Sequence, residues 1–301
     1  MNSINIADKT KGITRLKSNV IIAWLIGFFA LGFAGWFGEY LRDQWSLGYV
    51  NSMLVQAFAM SSIVGLGILL LFTKRPLRVK YTIGLGTIGK ALIHFILGMS
   101  ILLLPVFLSL AATTSMGWGE VVFNWNAGAA SSIGLGFLIV LIFEAFPEEF
   151  LFRGYIFSTI NTKIKKWKAA IISVLLFALL PLVLAPFQQY ILGIDVSLGG
   201  SSSIQLGYVI TMIIFGCFVQ YLRILTNTIW MGVGFHSVFV FFNHLMGTDE
   251  DSFIQFVSMT NEGPIQMVYV GTLIIIFIAL ICYPLVSKKK LNWKGYNVVK
   301  E

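Results

Sequence analysis

Charge is what this chain has least of. Only 11% of its 301 residues are Asp, Glu, Lys or Arg, against roughly a quarter in a soluble domain. So little charge cannot solvate the surface of a globular protein. Cysteine is almost missing too. Cys217 and Cys282 stand alone in apolar stretches, so neither metal-ligand spacing nor a disulfide framework is on offer. The HExxH pair of zincins is absent, as is the internal repeat that marks many secondary transporters. Loops longer than about 20 residues are lacking as well, which excludes a separate soluble domain with its own core.

What is present is hydrophobic: 57% of residues are apolar and the mean hydropathy is +0.85. This composition predicts an all-α, polytopic membrane protein. Apolar runs give eight candidate spans near 19–38, 52–73, 91–113, 128–152, 169–190, 204–222, 227–247 and 265–286, each close to the ~20 residues that cross a bilayer. The first follows Lys9, Lys11, Arg15 and Lys17 but is too long for a signal-peptide core, and reads as a retained anchor.

The charges sort by loop. Lys and Arg gather at the N-terminus, at Lys74–Lys90, from Arg153 to Lys168, at Arg223 and in the tail, with Arg42 the one exception among 21. Glu39, Asp43, Glu120, Asp195, Asp249, Glu250, Asp251 and Glu262 occupy the alternate loops. The positive-inside rule then places both termini in the cytoplasm of a multi-pass protein of the cell membrane. The net charge of +8 is thereby read as topology rather than as a nucleic-acid footprint, which needs a basic face on a folded domain. A single domain over 1–301 is expected, its partner the lipid bilayer.

Gly84, Gly86, Gly89 and Lys90 imitate both GxGxxG and most of a P-loop. Ala91 stands where the P-loop needs Ser or Thr, and the strand–loop–helix context is wrong, so no nucleotide is expected.

Glu148 and Glu149 stand together in the fourth run, in Pro147-Glu148-Glu149-Phe150-Leu151-Phe152-Arg153. Carboxylates cost about 2.5–3.5 kcal/mol each at the centre of a membrane helix, so they persist there with a partner, a wet cavity or a task. If Arg153 marks the helix exit, Glu148 lies roughly 7–8 Å from the boundary, within reach of water and suited to act as a base. The alternative is a structural Glu–Arg pair at helical spacing. Glu144, one turn earlier, adds a third carboxylate. His236 in the seventh run can reach a comparable depth. Asn243 follows on nearly the same face, and His94 in the third run is shallow like Glu148.

These residues resemble the CAAX protease and bacteriocin-processing (CPBP, or Abi) intramembrane endopeptidases, whose motifs are EExxxR, FxxxH and HxxxN or HxxxD. Glu148, Glu149 and Arg153 fit the first motif and His236 the histidine of the last, so that the resemblance covers a core of roughly 128–247. Two positions depart from it. Phe177 is followed four residues later by Pro181 where the second motif has histidine, and Val240 stands where the last has Asn or Asp.

The resemblance implies hydrolysis of peptide bonds in a peptide or membrane-protein substrate. Glu148 would be the base, Glu149 and Arg153 its organisers, and His236 the oxyanion or metal partner. Zinc or another divalent metal is implied in the same way, and only by the family. Glu148, Glu149 and His236 are expected to face one another across the fourth and seventh spans, with His94, Asn243 and Glu144 as auxiliaries. The other reading is a non-catalytic scaffold, regulator or immunity protein that keeps the bundle, with a plain transporter third.

Overall fold

In lipid every backbone N–H and C=O must be satisfied within the protein, which leaves helices as the default for an apolar chain. The computed structural model describes residues 3–73, 83–125, 129–194, 205–247, 253–257, 263–287, 291 and 293. Most of them are helical. The basic stretch 74–82, the Gly/Ser run 199–203 and the acidic residues 249–251 lie outside the described residues, as do the side chains of residues 3–16 and of His244.

Among the described residues six helices are long and apolar enough to cross a membrane: 17–45, 49–72, 88–115, 166–191, 206–226 and 263–286. The chain is a multi-pass membrane protein. The two expected spans missing from this set carry the motifs. Instead of one straight helix over 128–152, the chain forms α4 (Ala129–Val140), a π-helical stretch π1 (Leu141–Ala145), a single turn α5 (Phe146–Glu149), a second π stretch π2 (Phe150–Ile156) and α6 (Phe157–Asn161). In place of 227–247 is α9 (Trp230–Leu245), 16 residues long and hence about 24 Å, shorter than a hydrocarbon core of about 30 Å.

Chain contacts divide the protein into two units. The first holds α1 (Ser3–Trp45), α2 (Tyr49–Thr73), residues 83–86, the run from Ile142 through α6, α7 (Lys166–Ile191) and α8 (Leu206–Thr226). Helices α1 and α2 form a hairpin that turns at Ser46 (φ 49°). Trp24 of α1 donates from its indole to the Leu176 carbonyl of α7 at 2.9 Å.

The second unit holds α3 (Ile88–Ser115), β1 (Glu120–Phe123), α4, α9, β2 (Met246–Gly247), β3 (Ile254–Val257) and α10 (Gly263–Val286). Its axis is the crossing of α3 and α9. A Cβ at Gly98 would collide with the Met231 carbonyl, and one at Gly234 with the Phe95 carbonyl, so the two backbones touch as small-residue membrane crossings do. The strands form a sheet in the order β1-β3-β2, with β1 and β3 antiparallel from Glu120 opposite Val257 to Phe123 opposite Ile254, and β2 and β3 parallel. Val106, Leu110 and Ile254 form the small core beneath it.

Candidate functional site

The paired glutamates sit on the one α-helical turn between two π stretches. A π turn displaces backbone hydrogen bonds from i+4 to i+5 and leaves carbonyls to be satisfied otherwise, and such turns concentrate at functional sites. Here neighbouring helices supply the donors. Ser61 Oγ of α2 donates to the Ile142 carbonyl of π1. Ser173 Oγ of α7 donates to the Phe152 carbonyl at 3.0 Å, which also receives the Phe157 N–H. Arg223 Nε of α8 donates to the Arg153 carbonyl at 3.2 Å. Three helices thus hold the distorted segment, and all three contacts lie within the first unit.

Arg153 is sealed, 1% exposed, and so is Glu149 at 0%. Their side chains pair at 3.2 Å between Nη1 and Oε1. The guanidinium also lies 4.1 Å from the centre of the Phe177 ring, and its Nη2 donates to the Gly216 carbonyl at 3.4 Å. Gly216 makes that approach feasible, because a Cβ there would press on Val174 and Phe177 and stand 3.6 Å from Arg153 Nη2. A buried ion pair repays its desolvation only with further partners of this kind. An arginine suits the place because its planar fork stacks on an aromatic face while donating at its edge.

The burial corrects the depth expected for the glutamates. Arg153 does not mark the end of the helix, which continues to Asn161. Glu148 therefore lies thirteen residues, roughly 20 Å, from the helix end. The contact with Gly216, midway along α8, puts the pair at mid-helix level as well. Arg223 is corrected too: expected as a loop cation, it is 1% exposed. It lies 5.9 Å from the Phe157 ring centre, and Gly84 (φ +85°) is packed so closely on it that a Cβ there would come within 2.7 Å of its Cζ. The glycine that imitates a phosphate loop serves a tight turn whose carbonyl accepts the Ile229 N–H at 3.0 Å.

Glu148 and Glu144 differ from Glu149 in being half-buried rather than sealed. Both lie within electrostatic reach of Tyr208 on α8. Pro181 falls inside α7 without ending it. It is one turn from Phe177 and so on the face that Phe177 presents to Arg153. Among the described residues no group of three or more His, Cys, Asp or Glu side chains is placed to hold a metal ion, and Glu149 is engaged by Arg153. Among the described residues the donor set falls short of the three protein ligands a catalytic zinc takes.

His236, His94 and Asn243 belong to the second unit. His236 is 4% exposed. It follows by two residues Gly234, which faces α3, and about 100° per residue turns it to the opposite side of α9. His94 precedes Gly98 by one turn, on the side of α3 that meets α9, and is half-buried. Asn243 is exposed near the end of α9. Cys217 and Cys282 are free and exposed.

With the glutamate–arginine motif and its supports in place, comparison with known proteins finds a family likeness over part of the chain. Residues 130–242 match the Rce1-like type II CAAX prenyl endopeptidases. No curated protein matches the chain. The Rce1-like segment begins in α4 and ends in α9. It takes in Glu144, the glutamate pair, Arg153, Phe177, Pro181, Gly216, Arg223 and His236. Of these, sequence reasoning missed the parts of Gly216 and Arg223. The available signal is Arg223 itself, a cation at the end of an apolar run that also reads as loop charge.

Proposed function

We propose that this protein is an intramembrane endopeptidase of the CAAX protease type, acting on a peptide or membrane-protein substrate in the cell membrane. The observation that carries the reading is the division of labour between adjacent carboxylates. Glu149 is sealed against Arg153, whereas Glu148, on the same turn, is half-buried. Glu148 takes a proton from water, the water oxygen attacks the substrate carbonyl carbon, and the proton passes to the leaving amine as the C–N bond breaks. Arg153 holds Glu149, and with it the turn that presents Glu148. His236 enters by its match to the last motif, as the donor that stabilises the oxyanion.

Pro181 favours a second reading, a non-catalytic scaffold, regulator or immunity protein, because proline supplies neither donor nor ligand where the family has histidine. His94, Glu144 and Asn243 are the auxiliaries that an active protein would draw on. Full-length protein in proteoliposomes, assayed on a library of quenched fluorescent peptides with and without a prenylated C-terminal cysteine, separates the readings. Cleavage lost by about 10²-fold or more in Glu148→Gln and reduced in His236→Ala supports the peptidase. No cleavage by wild-type protein, with a cellular phenotype unchanged by Glu148→Gln at normal protein levels, supports the scaffold. A chelator abolishing cleavage, with recovery on adding zinc, would overturn the metal-independent scheme.

A further inference from the structure

The outer surface of α1 carries two cavities that meet end to end within the first unit. One, of about 480 Å³, is wholly apolar and is walled by Phe29, Gly32 and Phe33 of α1 with Ile63 of α2 and Phe187 of α7. The other, of about 430 Å³, is polar and is walled by Glu39, Tyr40, Arg42, Asp43 and Gln44 of α1. Trp36 and Leu192 belong to both. Each volume falls within the ~300–1,000 Å³ of small-molecule sites. Phe29, Phe33, Trp36, Tyr40 and Asp43 recur at spacings of three and four, so they form one stripe along the helix. That stripe passes from hydrocarbon-like to charged over about 20 Å. Phe33 packs on Trp36 with ring centres 6.0 Å apart, and Trp36 stacks on Tyr40 at 5.5 Å. The aromatic pair falls where the lining changes character, as aromatic side chains do at the edge of a bilayer.

The geometry points to a bound phospholipid, with one acyl chain in the apolar groove, its glycerol level with Trp36 and Tyr40, and an ethanolamine headgroup in the polar cavity. Charge selects the headgroup. Glu39 and Asp43 bring two negative charges and Arg42 one positive, with Arg42 paired to Glu39. An anionic headgroup would meet a net negative cavity. Phosphatidylethanolamine offers a phosphate to Arg42 and an ammonium to the carboxylates, and its three N–H donors match the acceptors on Glu39, Asp43 and Gln44. The choline headgroup keeps the charge but donates no such hydrogen bond. This site is independent of the glutamate turn and of any peptidase activity.

The test uses full-length, delipidated protein in detergent, with native mass spectrometry after addition of phosphatidylethanolamine, phosphatidylcholine or phosphatidylglycerol of identical chains. We expect phosphatidylethanolamine to be retained at least fivefold over either competitor. Asp43→Asn should cut its retention by fivefold or more, and Gly32→Leu, at a residue that lines the groove and whose Cβ would press on Leu184, should abolish retention of all three. Met267→Ala, at an exposed position on α10, should leave it unchanged. Circular dichroism in lipid-free detergent shows whether each variant is folded, and Asp43→Asn decides alone if Gly32→Leu is not. Equal retention of the three lipids, preference for phosphatidylglycerol, or undiminished retention by Asp43→Asn would overturn the proposal.

Discussion

Arg153 is the residue on which the candidate site turns, because a guanidinium withdrawn from water must be met on every side. Glu149, the Phe177 ring and the Gly216 carbonyl meet it on three sides, while its Nε is buried without a hydrogen-bond acceptor. Removing one member of a buried pair strands the other, at a cost of about 3–5 kcal/mol, whereas removing both does not. Glu149→Gln and Arg153→Met should each lower the thermal midpoint in detergent sharply, and the double variant should recover part of the loss. Strictly additive losses would show that the pair is not coupled. Ser173→Ala should be milder, about 1 kcal/mol, since it removes one hydrogen bond from a carbonyl that keeps its backbone donor. Glu148→Gln should leave the midpoint within about 0.5 kcal/mol of wild type, because a half-buried carboxamide keeps the shape of the side chain. An unfolding midpoint as low as that of Glu149→Gln would mean that Glu148 is structural.

At the scale of elements, two π stretches and one tight crossing make the protein unlike a bundle of straight helices. Each π stretch takes a donor from a neighbouring helix, so the shape of the motif segment is set by α2, α7 and α8 rather than by its own propensity. The α3–α9 crossing depends on two missing side chains. Gly98→Val and Gly234→Val should each destabilise the protein by about 1–3 kcal/mol or more through overpacking against backbone. Gly271→Ala, where a Cβ meets nothing within 4 Å, should be neutral or slightly stabilising. Thermal midpoints of the three variants check this, and tolerance of valine at both crossing glycines would contradict the close approach.

For the whole molecule, the distribution of charge makes a prediction about sidedness. If both termini are cytoplasmic, as the charge distribution proposes, a cysteine placed in 195–203 on a background lacking Cys217 and Cys282 should be modified by an impermeant maleimide in intact cells. One in 74–80 should react only after the membrane is opened. The reverse pattern would invert the topology. The buried Arg153 and Arg223 should be left out of that charge balance, since neither reports a loop.

The class of protein, six of its spans and the motif residues were legible in the sequence, because they depend on composition and on spacings of one or two helical turns. Glu149 and Arg153 pair as their i, i+4 spacing allows. The depth of that pair was not legible, because it depends on the helix continuing past Arg153 to Asn161, and an arginine in an apolar run reads as a boundary until a partner is seen. Nor were the π stretches, whose cost is met by Ser61, Ser173 and Arg223 from distant parts of the chain. Local sequence determined which residues have chemistry to offer. Tertiary structure decided that Glu149 is dry and its neighbour Glu148 half-buried, because solvation is a property of the packed surroundings and not of the residue.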